Sequence, residues 1–426
     1  FEISPSASGA QEVYLHVKPY AKSTKTFNKT NGYLCVTPSW TDGKIEHEGW
    51  DYLLVHSAQT VNSTPEGALF RGDSLTIALG VSTFTLGRAV TINSCRVYPG
   101  VTLRSNGGTA DFAGDDWEIV AVEGQEDNPV VFVPYTASKP YPVSLDMVLH
   151  GSGPIKISSN AATNDTYATI SMDNSAYKGR WTFSYAPDSK YPGAPTDDGI
   201  HRGTQVRISS AANLGGALDE PDAAALTIEK YSYLRPKNTL TLATPNRGIT
   251  IGTSCGGFYV PTDVTFTLGE PLTVNGTMLK DGEGRLVLSN STAAASTQTF
   301  KVRGGTLKPL TADCCANLDL VFTNRSATAT GLVLDCANAA TRACGLVANS
   351  IAVEAAETIP VTVENPELGD FTMALCTLPH GDEDLSGLFA VSPIRGHKVT
   401  VSKQTGDATD TYVITADKFG LSLFIK

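Results

Sequence analysis

The sequence predicts an all-β fold built as a parallel β-helix, a solenoid with β-rich caps at its N- and C-terminal ends. Three observations lead there. Two glycine-flanked segments look like copies of one another. Short runs of alternating apolar and polar residues recur along the chain, which puts the apolar residues of each run on one face of a strand. Helical periodicity is nearly absent: the Ala-rich stretch 213–232 is interrupted by Gly215, Gly216 and Pro221.

The first copy reads Gly151-Ser152-Gly153-Pro154-Ile155-Lys156-Ile157-Ser158, followed by Met172-Asp173-Asn174-Ser175-Ala176-Tyr177-Lys178-Gly179-Arg180-Trp181-Thr182-Phe183. The second reads Gly282-Glu283-Gly284-Arg285-Leu286-Val287-Leu288-Ser289-Asn290, followed by Phe300-Lys301-Val302-Arg303-Gly304-Gly305-Thr306-Leu307. Each joins a Gly-x-Gly turn, an alternating strand, a polar link and a second strand beside another glycine. A recurring strand–turn unit suits a solenoid, in which each coil buries its apolar face on the next. A propeller would repeat a fuller signature, and a row of sandwiches would need linkers that 60–390 lack.

The chain of 426 residues divides into three parts on this reading. Residues 1–58 carry Trp40, Trp50, His16, His47 and His56 and form a β-rich N-terminal cap. Residues 59–384 form the parallel β-helix, with Leu75-Thr76-Ile77-Ala78-Leu79, Leu240-Thr241-Leu242 and Ile249-Thr250-Ile251 among its strands. Residues 385–426 hold strand patterns at 399–403, 412–414 and 420–426 and form a C-terminal cap and assembly segment. Caps are required because an open end exposes strand edges and core side chains.

Composition narrows the function. Charged residues make up 18%, apolar residues 41%, and the net charge is -11. That apolar content suffices for a continuous core. The acidic balance, with no Lys/Arg-rich run among aromatics, argues against a nucleic-acid partner. No apolar run reaches the length of a transmembrane helix. The chain starts Phe1-Glu2-Ile3 without a methionine, as expected after removal of a targeting peptide or for a piece of a longer chain.

Eight cysteines are present, and five crowd into 314–376. Their spacing lacks the C-x2-C and His pattern of a metal site, so no metal is expected. Disulfides are expected among Cys314, Cys315, Cys336 and Cys344, for instance Cys336 with Cys344. Spacing alone does not fix the pairing.

The Gly-x-Gly-x-Leu-x-Leu-Ser pattern at 282–289 and the glycine pair at 304–305 resemble the autotransporter-associated β-strand repeat of large secreted bacterial proteins. Asn174 to Trp181 resembles the Asn-x-Tyr-x-Gly link of that repeat with one extra residue before the tyrosine. Asn246 to Ile251 resembles the strand that precedes such repeats. Asp51 to Val55 with Phe70 to Thr76 resembles the entry to a first coil. The resemblance covers about 50–310. Arg285 departs from it, standing where a small Thr is common, as does the Cys314-Cys315 pair. It implies a right-handed parallel β-helix on the bacterial surface, a passenger without its translocating barrel.

Candidate chemistry is sparse. Asp115-Asp116 beside Trp117 could serve a glycosidase, which needs two placed carboxylates, and equally reads as a turn. Trp117, Trp181 and Tyr185 would then line a sugar groove. His201-Arg202 is a second weak candidate. The acidic turns Gly381-Asp382-Glu383-Asp384 and Asp219-Glu220-Pro221-Asp222 lack the spaced ligands of a calcium loop. Six Asn-x-Ser/Thr triplets occur, at Asn28, Asn62, Asn164, Asn275, Asn290 and Asn324. They would accept glycans only in a eukaryotic secretory setting.

The expectation is therefore a secreted, non-enzymatic structural protein with no cofactor, an extracellular filament, sheath or surface-layer subunit. Its partner is itself, added head to tail through terminal strands. The candidate assembly residues are Phe1, Ile3, Val13, Leu15 and Val17 at one end and Tyr412, Ile414, Leu421, Leu423 and Ile425 at the other. Two alternatives stand beside it: a β-helix that acts on or binds a cell-surface polysaccharide, and a monomeric surface adhesin.

Overall fold

The computed structural model describes residues 2–5, 13–16, 24–26, 32–33, 50–59, 68–86, 90–105, 110–133, 143–159, 167–185, 203–294, 296–323, 330–354 and 358–419. Among these the chain is all-β, with short strands stacked into three long parallel sheets. The first sheet climbs from Thr24–Thr26 to Phe371–Pro379, the second from Gly32–Tyr33 to Thr292–Ala293, and the third from Leu240–Leu242 to Phe389–Val391. Parallel pairing thus already begins inside the segment read as the N-terminal cap, where Thr24–Thr26 pairs with Asp51–Leu54.

Alternation explains the strands. Val143–Gly151 buries Val143, Leu145, Met147 and Leu149 and turns Ser144, Asp146 and His150 outward. Parallel pairing keeps the same parity from strand to strand, so buried residues stack in columns. Tyr52 lies beside Leu75, Leu75 beside Cys95, Cys95 beside Trp117, and Trp117 beside Leu149. In the second sheet Phe84, Leu103, Phe132, Ile157, Phe183, Ile228, Ile251 and Val274 form one unbroken column. All of these side chains are buried in one core. Each contributes about 1.5–3 kcal/mol through burial. A slip of one residue would turn a whole strand inside out, so the columns fix the register.

The two glycine-rich copies are corners of this stack, and they feed different sheets. After Gly151 the chain enters Ile155–Ser159 of the second sheet; after Gly282 it enters Arg285–Leu288 of the third. Gly151 has φ of 87°, and a Cβ there would stand 2.4 Å from the Ile119 carbonyl oxygen. Only glycine permits both. Later corners are tied by asparagines that donate to a carbonyl one turn below: Asn246 to Leu218 O at 2.8 Å, Asn338 to Leu310 O at 3.0 Å, and Asn290 to Gly269 O.

One short α-helix, Ala339–Cys344, interrupts the strands. Asn338 caps it by accepting from Ala340 N, and Gly345 ends it. The Asn338 cap and Gly345 stop are the sequence signals for this helix.

Parallel stacking ends at the C-terminal side. Phe371–Pro379 pairs antiparallel with Thr409–Lys418, which pairs antiparallel with His397–Thr405. At the other end Glu2–Pro5 and Val13–His16 form an antiparallel hairpin, with Ile3 opposite Leu15.

The cysteine expectation is corrected. Cys314, Cys315, Cys336 and Cys344 are free thiols. Cys336 is buried in the core while Cys344 is exposed at the helix end, so the two do not meet. The Cys314 and Cys315 sulfurs lie 3.9 Å apart, far beyond a bond of about 2 Å.

Candidate assembly ends

The C-terminal sheet assigns the terminal strands differently from their sequence pattern. Thr409–Lys418 is the middle strand of three, and Tyr412 and Ile414 are buried. They cannot pair with another chain, which corrects their reading as assembly residues. Their apolar character comes from packing on the last coil, where Tyr412 meets Phe389 with ring centroids 5.8 Å apart.

The open edge is His397–Thr405 instead. This nine-residue strand pairs on one side only among the described residues. Val399 and Val401 rest half-buried against the core, whereas Lys398, Thr400, Ser402 and Gln404 face solvent. Phe389–Val391, the last strand of the third sheet, also pairs on one side only among the described residues, with Ile359–Glu364. Between these two edges lies a groove of about 300 Å³ lined by Ser386, Gly387, Phe389, Val391, Val399 and Val401. Sequence reasoning passed over it, although the Val-x-Val alternation at 399–401 marks the strand.

A charge cluster holds this end in shape. Asp410 is buried and accepts from Gly381 N at 3.0 Å, from Lys403 Nζ at 3.0 Å and from the His380 ring at 2.9 Å. Burial pushes its carboxyl up, but these partners outweigh that and hold it well below the usual range. Lys403 also donates to the carbonyls of Gly381 and Glu383. The acidic turn weighed as a calcium loop is therefore closed around an ammonium of the chain itself.

Ile3, Val13 and Leu15 fall on the N-terminal hairpin, whose strands pair only with each other among the described residues. Phe1, Val17, Leu421, Leu423 and Ile425 lie outside the described residues, as do His201 and Arg202.

The sugar-groove expectation meets the core. Trp117 and Trp181 are fully buried, donating through Nε1 to Ile92 O and Leu214 O at 2.8 Å each, and Tyr185 is buried as well. Asp115 and Asp116 sit on a bulge in Ala110–Ile119, both amides bonded to Asn93 O. Asp116 is tied to His150 at 2.8 Å and to Ser94 at 3.1 Å along the outer face. A separate cleft of about 360 Å³ is lined by Val122, Pro154, Glu123, Glu126, Ser152 and Lys178 beside an Arg180–Asp222 ion pair of 2.6 Å.

The Asn-x-x-Tyr-x-Gly link is structural. Asn174 is buried, accepts from Leu149 N and donates to Asn213 O. Tyr177 Oη donates to the Gly153 carbonyl at 2.7 Å, and a Cβ on Gly179 would collide with that same carbonyl at 2.3 Å. The tyrosine and the two glycines thus lock neighbouring corners together.

No protein-family model, curated protein or solved structure matches this chain.

Proposed function

We propose that the chain is a right-handed parallel β-helix that serves as an extracellular structural subunit, joined to further copies end to end. The three parallel sheets and their continuous columns support the solenoid reading, and right-handed crossovers follow from the twist of parallel strands. The single observation that carries the assembly reading is the open nine-residue edge at His397–Thr405. Such an edge offers a row of N–H and C=O groups to another chain. The two ends of the stack differ, the parallel strand Thr24–Thr26 at one and an antiparallel three-stranded arrangement at the other, so contact between them is heterologous and does not close into a dimer. The extracellular bacterial placement rests on the resemblance of the glycine corners and the Asn174–Gly179 link to secreted repeat proteins.

Sedimentation velocity over a wide concentration range tests this reading. It expects species that keep growing with concentration. A constant monomer mass at every concentration refutes it and leaves the adhesin alternative.

A further inference from the structure

We infer that His397 is an acid-closed latch, which ties the corner 365–370 and the carbonyl of Arg395 to the start of the open edge strand. Its ring stands between two backbone carbonyls. Nε2 lies 2.8 Å from Gly369 O, and Nδ1 lies 3.1 Å from Arg395 O. A carbonyl oxygen only accepts, so each contact needs an N–H on the ring. Neutral imidazole carries one N–H and imidazolium carries two. The neutral ring therefore closes one contact and turns a nitrogen lone pair toward the other oxygen, where two negative poles repel. Only the charged ring closes both.

The other histidines with ring contacts differ. His380 Nδ1 meets Asp410 at 2.9 Å and His150 Nε2 meets Asp116 at 2.8 Å, one acceptor each. Either form of the ring serves a single acceptor, so these contacts survive the loss of a proton. Among the described residues His397 is the histidine with an acceptor at both nitrogens.

The corner 365–370 carries the chain from Ile359–Glu364 of the third sheet to Phe371–Pro379 of the first. Leu368 at its tip is 88% exposed, so polar contacts rather than burial hold the corner. Beside the latch, Asp370 accepts from Lys418 N at 2.6 Å and Phe419 N donates to Gly396 O at 2.9 Å. One imidazole thus joins the corner, the turn into the edge strand and the end of the middle strand. Arg395 and Lys398 flank it in its own segment, Asp417 and Lys418 come from the paired strand, and Glu367 and Asp370 lie on the corner. Glu367 is paired with Arg342, and from Phe371–Pro379 the Phe371 ring meets the imidazole edge-on at 5.8 Å. Among the described residues none of these charged side chains bonds the ring, so its proton acts through the two carbonyls. The latch stands whether or not copies of the chain join.

Amide exchange at Phe419, corrected for the intrinsic effect of pH, reads the latch. Between pH 5 and pH 8.5 imidazole passes from charged to neutral. Wild type is expected to lose protection there about fivefold, the worth of one surface hydrogen bond. His397→Gln offers its single amide group at every pH and is expected to show no such change, whereas His380→Gln keeps it. Unaltered protection at Ile414 shows that each variant is folded. Equal protection of wild type at both pH values overturns the latch. So does a pH dependence that persists in His397→Gln, which then belongs to groups such as Glu270 and Lys280 in other coils, or one that disappears in His380→Gln. Spectra of isotope-labelled histidine in wild type at pH 5 supply a readout that needs no variant. Two slowly exchanging ring N–H signals are expected from His397, and one or none overturns the inference.

Discussion

Replacing Lys280 with methionine probes how the glycine corners are held. Lys280 occupies a core column between Phe258 and Val302, both fully buried, and is itself 0% exposed. Its ammonium donates to three carbonyls, Gly282 O at 2.5 Å, Gly304 O at 2.6 Å and Gly284 O at 2.7 Å. Two successive corners are thereby pinned by one group. Burial lowers its pKa to about 7, with Asp281 opposing the shift. Methionine has similar length and suits the column, but leaves three buried carbonyls without donors. Hydrogen bonds to a charged group contribute about 1.5–3 kcal/mol each, roughly 5–9 kcal/mol for three. Relief of burying the charge returns about 5 kcal/mol, the free-energy equivalent of lowering the pKa from 10.5 to about 7. The balance is a destabilisation of about 0–4 kcal/mol at pH 7, about 2 at the centre.

The sign with pH is also fixed. The folded pKa lies below the unfolded 10.5, so between 7 and 10.5 the unfolded chain binds more protons. Wild type therefore gains on Lys280→Met as pH rises through that window. Urea unfolding followed by tryptophan fluorescence reads the global effect. Amide exchange over 278–307 reads the local one, since long repeat arrays need not unfold in one step. Equal urea midpoints and unchanged exchange at these corners would refute the reasoning.

Glu270 behaves oppositely. It is buried, its Oε1 has no hydrogen-bond partner, and burial raises its pKa to about 7 against the opposing pull of Arg247. The folded pKa exceeds the unfolded one, so its stabilising contribution is complete below about 4.5 and fades as pH rises through 7. Glu270→Gln should leave the melting temperature unchanged at pH 4 and raise it at pH 8. Gly151→Ala places a Cβ 2.4 Å from Ile119 O at a φ of 87°, and should cost about 2 kcal/mol or more in urea unfolding. Trp117→Phe removes the bond to Ile92 O and should cost about 1–3 kcal/mol, while glycan-array binding stays unchanged, as a core residue demands.

The strand content was legible because alternation is a local property. Runs such as Leu240-Thr241-Leu242 need no partner to declare their two faces. The sheet each run joins was not legible. Gly151-Ser152-Gly153 and Gly282-Glu283-Gly284 look alike, yet one feeds the second sheet and the other the third, because the third sheet starts only at Leu240–Leu242. Trp117 and Trp181 read as sugar platforms because an aromatic beside acidic or polar residues looks the same in sequence whether it faces a groove or the core; in the fold both are buried, and a backbone carbonyl from another coil accepts from each indole nitrogen. Tyr412 and Ile414 looked like an exposed terminal strand because position near the chain end says nothing of position in a sheet. The groove at Val399 and Val401 depends on two strands ending beside one another, which only the register shows.

Cryo-electron microscopy of concentrated wild-type protein tests the central claim most directly. The account predicts filaments in which strand layers about 4.8 Å apart run across the long axis, with the C-terminal sheet of each subunit against the first parallel strands of the next. Discrete single particles, or filaments joined side to side with both ends bare, would contradict it.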